Sequence, residues 1–308
     1  MVKLYLECTS GISGDMAVGA LLDLGADRGK LEEVLATVPA GGFSVKITTV
    51  SRSGIEACDF AVLLDPEHEN HDHDMEYLYG PEPHHGPGPG PHHGPGPHDD
   101  PWGPPPPYGM YGPGWDPHCP PYGPGPEHHH EHRNLSDVYA VIDGTQMSDG
   151  ARETAKEIFR IVAEAESEVH GLPIEEVHFH EVGAVDSIVD IIAFAVCWDD
   201  LRQKETIDEV IVPVLYEGTG TVRCQHGVLP VPVPAVAAIA RRKGLRLHLL
   251  PDRGEFVTPT GAAIAAALQT SDRLPEEFTI RKTGLGAGKR TYPCRTGMLR
   301  AMLIEDVS

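Results

Sequence analysis

The sequence predicts an α/β protein in which helices pack on mixed sheets, and it leaves an α+β arrangement open. Strand-like segments with a two-residue period alternate along the 308 residues with segments of helical period. A long stretch rich in His, Pro and Gly interrupts this alternation. We therefore expect an N-terminal strand, Gly loop, helix and hairpin segment over 1–65, a disordered linker over 66–133, and a main α/β domain over 134–308.

The N-terminal segment is expected to begin with a strand over residues 2–7, whose polarity alternates. Turn residues fill Ser10–Asp15, and apolar residues then recur at helical spacing. A second helix is predicted at Leu31–Val38. Two strands, Phe43–Val50 and Ile55–Leu64, should form a hairpin.

The main domain is expected to open with a helix capped at Asn134 or Ser136, followed by a long amphipathic helix that ends at Gly171. The apolar run Asp186–Leu201 has the length and period of a largely buried helix. The other predicted elements are strands at Val210–Leu215, Thr221–Cys224, Leu245–Leu249, Phe278–Arg281 and Leu299–Ile304, and helices at Ala235–Lys243 and Thr260–Leu268.

The linker contains 19 Pro, 12 Gly and 13 His among its 68 residues. It has almost no aliphatic side chains whose burial would offset the chain entropy lost on ordering, so disorder is expected. Imidazoles bind Ni²⁺, Cu²⁺ and Zn²⁺ well, which predicts nickel or zinc loading; a solvated spacer with incidental metal binding is the alternative. The candidate ligands at its end are His128, His129, His130 and His132.

The charge balance excludes some functions. The chain has 24 Lys and Arg against 46 Asp and Glu, a formal net charge of −22 at pH 7, which disfavours nucleic acid and anionic membranes as partners. There is neither a signal-peptide pattern nor an apolar run long enough to span a bilayer. The six cysteines form no CxxC pair, so a cytoplasmic location is expected.

A first candidate site is the Gly-rich loop between the first strand and helix, formed by Ser10, Gly11, Ser13, Gly14 and Asp15. Small residues at a helix N-terminus let backbone N–H groups approach an anion, which suggests a phosphate site. The loop has neither the Lys-Ser/Thr pair of a Walker A motif nor dinucleotide-site spacing. The alternative is a tight, capped strand-to-helix turn.

A second candidate is the stretch containing His178, His180 and Glu181, followed by Asp186 and Asp190. The two imidazoles project to one side of an extended segment, and the two Asp residues share one helix face. Such groups suit a transition metal or acid–base chemistry. The alternative is a pair of helix-capping acids beside solvent-exposed histidines.

Weaker signals complete the set. Thr258 and Thr260 lie at a predicted helix start that offers a second anion site, although a well-capped, tightly packed helix is the commoner explanation. His226 and the glycine-rich run 284–290 could each line a pocket. The commoner explanations are an ordinary loop residue for His226 and a turn after a strand for the run.

Seven motifs follow one order along nearly the whole chain, and one of them begins at the end of the linker: SGISGDM, EHHHEHRNLSD, AEAESEVHG, VHFHEVGAVDSIVDI, HGVLPVPVP, GEFVTPTGAA and GLGAG. In this order they resemble the nickel insertion proteins of nickel-pincer nucleotide biosynthesis. The resemblance implies a lyase-class insertase that places Ni²⁺ in pyridinium-3,5-bisthiocarboxylic acid mononucleotide, through one carbon–nickel and two sulfur–nickel bonds, in a CTP-dependent reaction. The product serves lactate racemase and related enzymes.

The chemistry of this reaction suggests roles for the candidate residues, and the division of the roles among them is our own assignment. His178 and His180 would pass nickel or take a proton, Glu181 and Asp186 would orient them or act as base, and the Ser10–Asp15 loop would hold the substrate phosphate. Two departures matter. Glu7 stands where the family typically has Asp, and full-length family members continue into a domain associated with CTP and Mg²⁺ or Mn²⁺.

We therefore expect a partner polypeptide or a frameshifted extension to supply that domain, and a homo-oligomer. The competing hypothesis is a nickel metallochaperone or store without chemistry of its own, for which the linker is the main evidence. A metal-dependent phosphohydrolase ranks last, since no phosphatase or P-loop signature is present.

Overall fold

A computed structural model describes residues 1–65, 75–79, 133–179, 182–293 and 295–307 of the chain. Most of the predicted linker, including its four candidate histidine ligands, lies outside these residues, as do His180 and Glu181. In the described part of the chain, no helix has both the length and the apolar character needed to cross a membrane.

The elements follow one another in this order: β1 (Val2–Glu7), α1 (Gly14–Leu24), α2 (Arg28–Leu35), β2 (Phe43–Arg52), β3 (Ile55–Leu64), α3 (Met75–Tyr79), β4 (Arg133–Asn134), α4 (Leu135–Gly144), α5 (Asp149–His170), β5 (His178–Phe179), α6 (Val185–Glu205), β6 (Ile207–Ile211), β7 (Leu215–Thr219), β8 (Thr221–Cys224), β9 (Gly227–Pro230), α7 (Pro234–Lys243), β10 (Leu247–Arg253), α8 (Pro259–Leu268), β11 (Phe278–Ala287) and β12 (Met298–Asp306).

A six-stranded mixed sheet organises the fold, with the order β2-β3-β11-β12-β1-β6. The pairs β2–β3, β11–β12 and β1–β12 are antiparallel, whereas β1–β6 and the short β3–β11 contact are parallel. Strands from residues 1–65 and from residues 134–308 therefore belong to one sheet. Smaller pairs are β7–β10, β8–β9 and β4–β5. The α/β class predicted from the sequence is confirmed.

Helices cover the sheet and bury the core. Helix α1 packs on β3, β11 and α6, and α5 packs on α6, α7 and α8. The middle of α6 is buried on every side, which explains its almost uninterrupted apolar sequence. As predicted, the Asn134 side chain forms a capping box with Asp137, and Gly171 ends α5 in the left-handed conformation at φ 65°.

One predicted strand is wrong. The segment Val210–Leu215 divides into β6, which ends at Ile211, and β7, which begins at Leu215 and pairs with β10 in another sheet. Pro213 lies between them and has no N–H to donate to a ladder. The chain therefore leaves the central sheet there.

The glycine run 284–288 is also not simply a turn, because residues 284–287 lie within β11. A Cβ on Gly284 would lie 2.3 Å from the Ala20 carbonyl oxygen, and one on Gly286 would lie 1.9 Å from the Met16 carbonyl oxygen. Glycine at these positions lets the backbone of α1 lie directly on the strand.

The linker prediction is wrong at two places that the structure describes. Met75–Tyr79 is helical, and Arg133 belongs to β4. Leu78 is buried, and the Tyr79 hydroxyl accepts the Glu255 N–H at 3.0 Å and lies 3.0 Å from the Tyr292 hydroxyl. The burial of Leu78 and the hydrogen bonds of Tyr79 favour an ordered helix here, and neither can be inferred from the composition of the linker.

Candidate functional site

A cavity of about 650 Å³ is bounded by the N-terminal ends of α1, α6 and α8, the C-terminal turn of α5, strand β3 and the β8–β9 hairpin. Its volume is in the range of small-molecule sites. It collects several sequence-predicted residues that are far apart in the chain. These are Ser13, Gly14, Asp15, Asp186, His226, Thr258 and Thr260.

Three carboxylates line the cavity where α1 meets α6: Asp15 in the first turn of α1, and Asp186 and Asp190 one turn apart on α6. A Cβ on Gly14 would lie 2.7 Å from Asp190 Oδ2, so glycine is needed for this approach. Burial, with the charges of Asp15 and Asp186, raises the pKa of Asp190 well above its usual value. Asp190 therefore keeps its proton to higher pH than an ordinary Asp does.

The helix start that the sequence suggested for phosphate is already engaged by carboxylates. The Ser13 hydroxyl donates to Asp15 Oδ1, and the Met16 N–H donates to the same oxygen at 2.8 Å. The Lys289 N–H donates to Asp15 Oδ2 at 3.2 Å, and the Asp15 N–H donates to Asp190. The negative charge of the cluster disfavours an anion at this point and favours a cation.

The other two members of the predicted loop lie beside the main cavity. Ser10 lines an adjoining cavity of about 60 Å³, and its Oγ lies 3.2 Å from Thr296 Oγ1. Gly11 adopts φ 83°, and a Cβ there would lie 1.9 Å from the Phe256 carbonyl oxygen. Gly11 thus allows close backbone packing, and its role in phosphate binding stays a prediction.

Cationic side chains line the same cavity. Lys289 forms an ion pair with Asp59, and the partly buried Arg290 forms one with Glu255. Burial opposes the charge of Arg290, but Glu255 outweighs it and raises the pKa of the guanidinium above its usual value. Lys46 and Arg223 also line the cavity. A ligand with both anionic and cationic parts would find complementary groups here.

The segment that carries Glu255 and Thr258 is held in place by Glu217, which is fully buried. One oxygen of Glu217, Oε1, accepts the N–H groups of Phe256 at 2.7 Å and Val257 at 3.2 Å. Burial is the main cause that raises the pKa of Glu217 to about 7. Thr258 caps α8 by accepting the Gly261 N–H at 3.1 Å, as its sequence position suggested.

A histidine pair lines the cavity near the end of α5. His170 and His226 have ring centroids 5.0 Å apart, and His170 Nε2 lies 3.3 Å from Glu166 Oε2. Burial raises the pKa of Glu166 to about 7 and, with the neighbouring His170, lowers the pKa of His226. Glu166 and His170 escaped the sequence analysis, although their i, i+4 spacing in AEAESEVHG was a usable signal.

The structure separates the residues that the second motif placed together. Asp186 and Asp190 line the cavity, whereas His178 is exposed on β5 opposite Asn134 and does not line it. Because His180 and Glu181 are outside the described residues, their catalytic and metal-binding roles stay predictions. Within the ranges that the structure describes, no three His, Cys, Asp or Glu side chains are already arranged as a metal site.

The fold and this site define an α/β protein with an acid-lined cavity that also carries imidazole and cationic groups. A family model described as nickel insertion protein matches residues 4–308, so the chain belongs to the nickel insertion protein family. The resemblance seen in the sequence is confirmed at this level.

Similar curated proteins carry a more specific name, pyridinium-3,5-bisthiocarboxylic acid mononucleotide nickel insertion protein. The chain is 47% identical to one from Alkaliphilus metalliredigens over 99% of its own length and 61% of the relative's. It is 33% identical to one from Acetivibrio thermocellus (97% of the chain, 58% of the relative) and 34% to one from Geobacillus kaustophilus (99% and 60%). It thus spans about three fifths of these relatives' length. No solved structure matches the chain.

Proposed function

We propose that this chain takes part in inserting Ni²⁺ into pyridinium-3,5-bisthiocarboxylic acid mononucleotide, the substrate in the names of its relatives. One observation carries the proposal: segments distant in the sequence, each belonging to a family-like motif, converge on one cavity. The substrate combines a cationic ring, two thiocarboxylates and a phosphate, and the cavity offers carboxylates and cationic side chains together.

Asp190 is the proton acceptor in this proposal. Forming the carbon–nickel bond requires the pyridinium ring carbon to lose its proton while its electron pair passes to nickel. The ionised form of a carboxyl group with a raised pKa is a stronger base than the carboxylate of an ordinary Asp. Asp190 would accept the ring proton in that form. The charges of Asp15 and Asp186 would favour the cationic ring and the incoming metal ion.

The phosphate is proposed to bind cationic residues of the cavity, with Lys46 and Arg223 as candidates beside the originally predicted Ser10–Asp15 loop. CTP with Mg²⁺ or Mn²⁺ would be bound by a further polypeptide region, consistent with the greater length of the relatives. Classification as a lyase, a cytoplasmic location and a homo-oligomeric state belong to the same proposal.

A nickel store without chemistry is the second candidate, and the 13 histidines of residues 66–133 favour it. The two functions make different demands. A store needs only the histidine-rich stretch, whereas an insertase also needs the cavity.

The deciding experiment mixes the chain with the thiolated pyridinium mononucleotide, Ni²⁺ and CTP, with and without the additional region of a full-length relative, and detects the nickel-containing product by mass. The Asp190→Asn variant should lower product formation about 100-fold or more, because it removes the proton acceptor. Asp208→Asn, on an exposed position of β6, is the matched control and should react normally. Normal turnover by Asp190→Asn would contradict the assignment of the base.

A further inference from the structure

The cavity contains a group of nitrogen and oxygen donors apart from the three Asp residues on α1 and α6. His170 is the last residue of α5, and Glu166 lies one turn before it on the same helix. His226 lies in the two-residue turn between β8 and β9. All three side chains line the cavity, so an ion bound to them would be accessible from the inside of the cavity.

The distance between the two imidazoles suits a shared metal ion. Their ring centroids are 5.0 Å apart, and the ring planes are inclined by 46°. Metal–nitrogen distances of about 2.1 Å place the centres of two imidazoles that share one ion roughly 4.5–6 Å apart. The observed spacing lies within that range.

Glu166 is placed to orient His170. Its Oε2 lies 3.3 Å from His170 Nε2, and the Glu166 and His170 side chains are 16% and 26% exposed. The two residues lie one helical turn apart, so the carboxylate limits the positions that the imidazole can take. Carboxylates commonly orient metal-binding histidines in this way.

The position of His226 is set by local structure. The register of β8 and β9 pairs Cys224 with Gly227, so Gln225 and His226 form a two-residue turn. Gly227 adopts φ 94°, which a glycine readily accepts after such a turn. The hairpin thus holds the imidazole against α5 while its residue stays exposed to solvent.

We propose that His170 and His226 form a docking site for Ni²⁺ at the cavity, with Glu166 as a positioning residue. Imidazole nitrogen suits Ni²⁺, and the adjacent carboxylate favours a divalent cation. Two protein ligands leave coordination positions to water and then to the thiocarboxylate sulfurs of the substrate. The identity of the cargo rests on the proposed function, but binding at the pair can be tested without any turnover.

The test is a calorimetric titration with Ni²⁺ alone, in the full chain with the 13 histidines of residues 66–133 replaced by Asn. His170→Ala and His226→Ala should each weaken the remaining site at least tenfold, and Glu166→Gln should weaken it less. His248→Ala, an exposed imidazole on β10, is the matched control and should bind normally. His178→Ala should also bind normally. Unchanged affinity in both pair variants, or loss only in His178→Ala, would overturn the docking site.

A second measurement does not depend on how the variants fold. Substoichiometric Ni²⁺ should broaden the NMR signals of the His170 and His226 rings in the parent before those of His178 or His248. Broadening that starts at the latter two would overturn the proposal. Because neither measurement uses the pyridinium nucleotide or CTP, absent product with intact nickel docking would contradict the proposed function alone.

Discussion

Single residues in this protein owe their chemistry to what surrounds them rather than to their type. Asp186 and Asp190 are an ordinary i, i+4 pair in the sequence. Of these two, only Asp186 is predicted from the sequence to orient the histidines or to act as base. Burial raises the pKa of Asp190, as do the charges of Asp15 and Asp186, and the close approach of α1 at Gly14 brings Asp15 near it. Such an approach between two helices is a tertiary event, which local patterns do not encode.

Glu217 allows a pH prediction at the residue scale. Its pKa is raised from 4.5 to about 7, and its Oε2 lacks a hydrogen-bond partner within the described part of the chain. A raised folded-state pKa means that the native state binds more protons than the unfolded state between pH 4.5 and about 7. Stability therefore falls as pH rises through this window.

Glu217→Gln should remove this contribution, because the amide stays neutral at every pH. Near pH 8 the variant should be more stable than the parent by an amount on the order of 2–3 kcal/mol, and near pH 4.5 the two should be similar. Urea denaturation at both pH values measures this, with Glu277→Gln, at an exposed position, as control. Parallel pH curves for the parent and Glu217→Gln would refute the prediction.

At the scale of elements, the sequence correctly predicts those features that depend on residues near one another in the chain. The β2–β3 hairpin, the Asn134 cap and the end of α5 at Gly171 all depend on such local chemistry. Sequence analysis missed the features decided by distant contacts: the path of the chain after Ile211, and the helix Met75–Tyr79. Likewise, sequence analysis identified Thr258 because this residue caps a helix. It missed His170, whose position in the cavity depends on the β8–β9 hairpin.

The contact between α1 and β11 supplies a prediction at this scale. A Cβ at Gly286 would lie 1.9 Å from the Met16 carbonyl oxygen and 2.4 Å from the Ala20 nitrogen, so Gly286→Ala must separate helix and strand. We expect a destabilisation of about 2–4 kcal/mol. Gly41→Ala is the matched control, since nothing lies within 4 Å of its Cβ. Equal urea midpoints for the two variants would contradict this prediction, because they would show that α1 and β11 can move apart at little cost.

At the scale of the whole molecule, the chain divides its histidines unequally. Thirteen lie in residues 66–133 and five elsewhere. Under the proposed function, nickel must be both collected and placed. The unequal distribution leads us to expect that the histidine-rich stretch collects the ion and that the cavity places it.

Replacing the thirteen histidines with Asn tests this division of labour. The thermal midpoint should stay within about 2 °C, because a stretch with almost no aliphatic side chains is expected to add little to the stability of the fold. The number of Ni²⁺ ions bound per chain should fall to about one, since few imidazoles remain to bind the metal. In the complete reaction, product formation should slow at limiting Ni²⁺ and recover at saturating Ni²⁺, because collection and not placement has been removed.

The matched control is His248→Ala, which should change neither nickel stoichiometry nor rate. If the variant with thirteen substitutions bound as many Ni²⁺ ions as the parent, residues 66–133 would be only a spacer. A rate of product formation that stays low at saturating Ni²⁺ would instead show that these histidines act in the insertion step itself.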